Sequence, residues 1–399
     1  MRRSSIPSRK GAPTACRPGA RGCRPTRSGS WSRTSTPCAR RTNPTHRGNR
    51  RMRMPPFRRR LLRIAPMMLP LLASVLVGCS GPQNFLFAGG PAAGHLARLG
   101  WIALITFSVV TVLVWVLLVL AVTRRRGSFD EHAPVEPEPS RTGVDWIIVG
   151  GIAIPLLILT VLFVLTLGTL GHFPMKDMMT PAPAIRVTGR QWWFEGQYLD
   201  DGLDGRFKVA TELHIPAGRP VNLELVTRDV IHSFWIPKLH GKVDLVPGIV
   251  NHIRIQADRP GIYEGECGEY CGAQHAHMRL RVIADTPAVY ARWRRGQLAD
   301  AHDPADAATR HGREVFLSSA CALCHTIRGT PAQGDVGPDL THVGSRGRIA
   351  GGMLDNNTAN LAAWIVHAQS LKPGAQMPDM DQLDGDQLRD LTSYLQSLK

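Results

Sequence analysis

The chain has 399 residues, room for two or three domains, and a formal net charge of +17. Residues 1–63 hold 19 of the 48 Lys and Arg and no acid, leaving 29 basic against 31 acidic residues elsewhere. That split excludes a folded nucleic-acid-binding face as the source of the basicity, so no nucleic-acid partner is expected.

Residues 1–51 are rich in Arg, Pro, Ser, Thr and Gly without apolar periodicity, and read as a disordered or mis-assigned N-terminal extension. Met52 or Met54 makes a better start, because residues 52–78 have the pattern of a lipoprotein signal peptide. Arg58, Arg59, Arg60 and Arg63 form its basic part, and an apolar run ends at Leu76-Val77-Gly78-Cys79. This ending resembles a bacterial lipobox, which makes Cys79 the expected lipidation site and mature N-terminus.

Residues 79–180 carry two uncharged apolar runs, Trp101–Val122 and Trp146–Leu170, predicted as transmembrane helices over about 100–123 and 145–170. The loop between them bears Arg124, Arg125, Arg126 and Arg141, which places it in the cytoplasm and everything after Gly171 outside. Asp145 reads as a charge at the membrane interface.

Residues 181–288 turn to short β-rich runs punctuated by Pro216-Ala217-Gly218, Pro247-Gly248 and Pro260-Gly261, the pattern of an antiparallel sandwich or barrel. This domain contains "DVIHSFWIP", with His232, and "CGEYCGAQHAHM", with Cys267, Glu269, Cys271, His275, His277 and Met278. A tetrahedral zinc site has no use for the methionine, and a mononuclear blue-copper site leaves one cysteine over. Two coppers bridged by thiolates use two Cys, two His and one Met, with a disulfide as the remaining alternative.

Residues 289–306, rich in Arg, Ala and Asp, read as a linker to a module over 307–399. Cys321-Ala322-Leu323-Cys324-His325 is a c-type haem attachment motif, with two thiols for the vinyl groups and His325 for the iron. "VGPDLTHVGSR" and "LKPGAQMPDM" follow. Met377 precedes a proline, and Met380 and Met353 are competing candidates for the second axial position. In "DGDQLRDLTSYLQSLK" the residues Leu388, Leu391, Tyr394, Leu395 and Leu398 recur at helical spacing and are predicted core.

The motifs "GRQWWFEGQY", "HSFWIPKL", "VPGIVN" and "CGEYCGAQHAHM" together resemble subunit II of haem–copper cytochrome c oxidases, and residues 307–399 resemble class I cytochrome c. The whole looks like subunit II of the caa3 type. The resemblance implies a multidomain chain: a two-helix transmembrane hairpin, an all-β cupredoxin Greek-key barrel and an all-α cytochrome c domain. It implies a dinuclear copper A centre on His232, Cys267, Cys271, His275, Met278 and the backbone carbonyl of Glu269, whose side chain would reach a magnesium at the subunit I interface. His277 has no place in the family pattern. Trp192 and Trp193 match the aromatic patch where electrons enter, and the family pattern favours Met377 as the haem ligand.

The implied function is to relay electrons from the fused haem c to copper A and on to subunit I, where oxygen is reduced to water with proton pumping. The catalytic oxygen site is expected on another subunit, since neither span contains a histidine. Expected partners are subunits I and III, a donor that is a cytochrome c or bc1 complex, and the bacterial plasma membrane, with both redox domains on its outer side. The alternatives are the electron-accepting subunit of a copper A nitric oxide reductase and a stand-alone tethered carrier. A quinol oxidase subunit would lack the copper ligands. The glutamate that many members carry at the start of the second helix is missing, Asp145 being the nearest acid.

Overall fold

The computed structural model describes residues 81–124, 141–173, 184–199 and 207–399. The N-terminal extension, the signal peptide, Cys79 and the loop arginines Arg125 and Arg126 lie outside the described residues.

Two helices, α1 (Pro91–Arg124) and α2 (Arg141–Leu170), are each long and apolar enough to cross a membrane. Their apolar side chains are exposed all round, as lipid-facing surfaces are. Helix α1 begins well before residue 100. His95 and Arg98 end the apolar run there, yet Ala93 and Ala97 are buried. The Ala93 amide donates to the Leu239 carbonyl at 3.2 Å, which ties the first turn to the β domain. Helix α2 contains a π-helical segment, Ile147–Ala153, just before Pro155. Proline has no N–H to give the preceding turn, and a wider turn absorbs the loss.

Ten strands build the β domain: β1 (Ile185–Arg190), β2 (Trp193–Tyr198), β3 (Phe207–Ala210), β4 (Glu212–Pro216), β5 (Val221–Thr227), β6 (His232–Trp235), β7 (Val243–Leu245), β8 (Asn251–Ile255), β9 (Gly261–Cys267) and β10 (Arg279–Asp285). They form two five-stranded sheets, β3-β2-β1-β5-β8 and β4-β10-β9-β6-β7. Inward-facing Val187, Phe194, Leu223, Leu225, Phe234, Ile236 and Val282 fill the space between them. The pairing is mixed rather than purely antiparallel: β1–β5 and β4–β10 run parallel. Both pairs are joined by long crossovers, which turns alone do not reveal. Between β3 and β4, Thr211 takes a φ of 70° as the chain passes from one sheet to the other. That conformation is costly for a β-branched residue, and both its backbone groups are bonded, to Phe194 and Arg281.

The expected linker opens with a helix, α3 (Pro287–Leu298). Its Trp293 stacks on His214 at 4.0 Å and packs on Tyr198 and Phe207. Composition flagged the arginines and missed this one aromatic bracket.

The C-terminal domain has helices α4 (Ala307–Ser318), α5 (Cys321–Cys324), α6 (Thr358–Val366), α7 (Ala368–Leu371) and α8 (Gly385–Ser397), and one small hairpin, β11 (Arg348–Ile349) with β12 (Leu354–Asp355). Asp306 and Asp384 close capping boxes at the starts of α4 and α8. Leu391, Tyr394, Leu395 and Leu398 are buried, with Leu388 packed against them.

Candidate metal centre and haem crevice

Strand β6 presents His232 and its neighbour β9 ends at Cys267; Phe234 pairs with Cys267 in the ladder. Cys271, His275 and Met278 follow on the loop that a 3₁₀ turn, His275–His277, folds back over the strand ends. The six predicted donors come together. Cys267 Sγ lies 3.8 Å from Cys271 Sγ, 3.2 Å from the Glu269 carbonyl and 3.9 Å from His232 Nδ1. Cys271 Sγ lies 3.6 Å from His275 Nδ1 and 3.8 Å from Met278 Sδ. Both cysteines are free thiols.

His232 is fully buried, and its Nε2 meets Asp229 Oδ1 at 2.7 Å, so Nδ1 is the nitrogen left to the sulfurs. The Gln191 and Val230 amides, each at 2.7 Å, hold the Asp229 carboxylate in turn. Burial alone would lower the pKa of His232, but the Asp229 hydrogen bond and the Cys267 sulfur outweigh it and raise it. The Cys271 hydrogen bond drives Cys267 down to about 4, against burial, while the same bond pushes Cys271 up. Two thiols this close cannot both ionise without a cation between them, so this donor set fits the soft metal its composition implies.

Two side chains of this stretch stay out of the cluster, the Glu269 carboxylate, whose carbonyl alone was the expected donor, and His277, for which no donor role was expected. The Glu269 carboxylate is exposed and pairs with Lys242 Nζ at 2.9 Å. The His277 ring bonds Gln274 Oε1 at 2.7 Å.

In the C-terminal domain Cys321, Cys324, His325, Met377 and Met380 line one apolar cavity; Met353 is not among its lining residues. The Pro338 carbonyl accepts from His325 Nδ1 at 2.7 Å, leaving Nε2 as the free ring nitrogen. Burial lowers the pKa of His325, which keeps the ring neutral as a metal ligand must be. Gly337 lies against this ring so closely that a Cβ would run into it. A cavity with two thiols, a neutral fixed imidazole and two thioethers on its walls fits a covalently held haem. Met380 is buried and its sulfur takes the Gln382 amide at 3.7 Å, whereas Met377 is only partly buried.

The same cavity is walled by Trp192 and Trp193 of the β domain. Trp192 Nε1 donates to the Cys271 carbonyl at 2.9 Å, and Gln191 Nε2 donates to that oxygen at 2.8 Å. One indole therefore touches a candidate metal-ligand residue and lines the haem crevice. Trp193 lies under the Arg190 guanidinium, 5.5 Å from the ring centre.

Several contacts hold the two domains in this arrangement. The Glu212 carboxylate accepts from the Gly347 and Arg348 amides at 3.0 Å, the Arg279 amide donates to the Gly351 carbonyl at 2.9 Å, and Gln274 Nε2 donates to the Pro373 carbonyl at 3.0 Å. Lys372, almost fully buried, donates to the carbonyls of Trp192, His277 and Ala350. Sequence reasoning missed Asp229, Glu212 and Lys372. An acid three residues before a predicted metal histidine was a usable signal for the first. The other two carried none.

Residues 194–285 match the family model "Cytochrome C oxidase subunit II, periplasmic domain", and residues 309–399 match "Cytochrome c". The cytochrome c oxidase subunit 2 of Alkalihalophilus pseudofirmus is 35% identical over 85% of this chain and 99% of its own length. That of Bacillus sp. strain PS3 is 30% identical over 69% of this chain and 80% of its own. The crystal structure of the periplasmic domain of subunit II of cytochrome oxidase from Bradyrhizobium japonicum covers 29% of this chain and 93% of that one, at 26% identity and a TM-score of 0.27.

Proposed function

The chain belongs to the cytochrome c oxidase subunit II family, with a fused cytochrome c domain, and we propose that it relays electrons from a haem c through copper A to subunit I. It is a subunit of a haem–copper oxidase and carries two candidate membrane spans, a cupredoxin-like β domain and a helical haem domain. In this reading His232, Cys267, Cys271, His275, Met278 and the Glu269 carbonyl hold the copper pair, and Cys321, Cys324, His325 and Met377 hold the haem. When bound, these groups supply one-electron redox chemistry.

The protein's contribution is to hold and screen. Asp229 fixes the tautomer and orientation of His232. Strands β6 and β9 keep two of the donors on a rigid ladder, which limits movement when charge changes. Trp192 fills the space between the sites with a buried aromatic ring hydrogen-bonded to Cys271. That shared tryptophan is the observation that carries the relay reading. Subunits I and III are the proposed partners, and a cytochrome c or bc1 complex the proposed donor. The β and haem domains would lie outside the plasma membrane, and lipidation at Cys79 belongs to the same reading. Glu269 already has Lys242 as its cationic partner, so magnesium is left out.

Electron paramagnetic resonance of the copper-loaded chain tests the centre. Hyperfine splitting from two equivalent copper nuclei is expected; splitting from a single nucleus would overturn it. Photoreduction of the haem should be followed by bleaching of the haem signal and reduction of copper in the same molecule, at a rate independent of protein concentration.

A further inference from the structure

A buried cation, with the Cys271 sulfur as its one charged neighbour of note, lies between the two redox domains. Lys372 is 2% exposed, and among the described residues no carboxylate pairs with it. Its ammonium donates to three carbonyls: Trp192 at 2.8 Å, Ala350 at 2.9 Å and His277 at 3.0 Å. Three donors meet three acceptors, so the group is saturated. A neutral amine, with two N–H groups, would leave one acceptor facing a lone pair. Burial still pulls its pKa down to about 8, a measure of how completely water is excluded.

The origin of the three carbonyls matters. Trp192 stands between β1 and β2, and His277 ends the turn that also carries His275 and leads into Met278. Ala350 sits in the β11–β12 hairpin of the haem domain, as Lys372 itself sits just before the Met377 loop. The next residue repeats the link, since the Pro373 carbonyl accepts from Gln274. His277, which has no role as a donor to the metal cluster, supplies a carbonyl here. Gly351 lets the hairpin come this close: it has a φ of 69°, and a Cβ there would overlap the Trp192 carbonyl and the Lys372 ammonium.

We propose that Lys372 is a positioning residue that locks the haem domain onto the copper-binding turn, fixing the separation across Trp192. The proposal rests on the relay reading for its purpose, but the lock itself is a property of the chain. Losing the ammonium leaves three buried carbonyls without a donor, which opens the seam. Lys372→Met keeps the stem and removes the charge.

Hydrogen–deuterium exchange on the full chain, loaded with copper and haem, reads the lock directly. In Lys372→Met the amides of residues 275–278 and 348–352 should exchange about tenfold faster or more, as they would if docking lost the free energy of one such factor. Haem-to-copper transfer after photoreduction should slow by roughly tenfold or more, the order expected when reacting groups lose their fixed geometry. The two-nucleus copper signal and the methionine-ligated haem spectrum should stay as in the parent chain, which separates a positioning role from one in folding. Parent-level exchange and transfer in the variant would overturn the proposal. If Lys372→Met fails to load, Gly351→Ala breaks the same cage with the lysine retained and should show the same faster exchange; unchanged exchange there also overturns the lock. Should the parent chain pass no electrons from haem to copper, the relay reading fails, while exchange still decides whether Lys372 holds the domains together.

Discussion

At the scale of single residues, two thioethers compete for one task. Met377 and Met380 both line the haem cavity, but the Met380 sulfur is engaged by Gln382 and its side chain belongs to the buried core. Met377→Ala should therefore lower the haem potential, by on the order of 0.1 V given that axial ligands span about 0.8 V. Met380→Ala should leave the potential in place and cost about 2–5 kcal/mol of stability as a core truncation. Redox titration and thermal unfolding of the two variants distinguish these outcomes, and a potential drop in Met380→Ala alone would reassign the ligand. Asp229 is the second residue with a sharp expectation. Its oxygen fixes His232 at 2.7 Å, so Asp229→Ala should weaken copper binding by roughly 10- to 100-fold in competition with a chelator. The donors themselves were readable in the sequence, because five of the six fall within twelve residues and soft ligands that close together have few other uses. Asp229 was readable in principle. The preference for Met377 came only from its place before a proline in the family pattern, because spacing cannot say that the Met380 sulfur is already engaged.

At the scale of elements, apolar runs and turn residues carried most of the information. Both spans follow from continuous apolar runs, the short strands from β-rich runs between turn residues, and the C-terminal helix from its periodicity. The start of α1, the parallel pairs β1–β5 and β4–β10, and the helix α3 depend on contacts that no local window contains. The pairing of α4 with α8 shows what such a contact adds. His311 Nδ1 meets Asp390 Oδ2 at 2.8 Å, joining the first and last helices of the haem domain. The hydrogen bond to Asp390 raises the pKa of His311, and the same bond lowers that of Asp390. For a raised histidine, the stabilisation is complete below its unfolded pKa of about 6.5 and fades as pH rises through the folded value. For a lowered aspartate, it is complete above about 3.9 and fades as pH falls through the folded value. The pair therefore contributes most between these limits. The thermal midpoint followed at the haem band should fall as pH rises above about 6.5, and His311→Ala should flatten that part of the profile. An identical slope in the variant would place the pH dependence elsewhere.

At the scale of the whole molecule, the arrangement of the two redox domains is set by residues far apart in the chain. Lys372 and Trp192 are separated by 180 positions, Glu212 and Gly347 by 135. A lysine before Pro-Gly reads as a solvated turn, and a glutamate opening a strand reads as a solvated edge, so neither announces burial. Glu212 makes a second attachment, independent of the lysine cage. Its carboxylate takes the Gly347 and Arg348 amides at the base of the β11–β12 hairpin, while Ala350 at the tip faces Lys372. Hydrogen bonds to a charged group contribute about 1.5–3 kcal/mol, and Arg281 would retain Glu264 as a partner if Glu212 were lost. Glu212→Ala should thus speed exchange at residues 347–349 by roughly 10-fold or more without touching either redox centre. Because both attachments hold one short hairpin, their effects should not add. Once Lys372→Met has freed the tip, Glu212→Ala has less ordered structure left to release, and the double variant should exchange more slowly than the product of the single effects predicts. Strict additivity would mean that the hairpin is held at two independent points and that the haem domain does not pivot as one body on this seam.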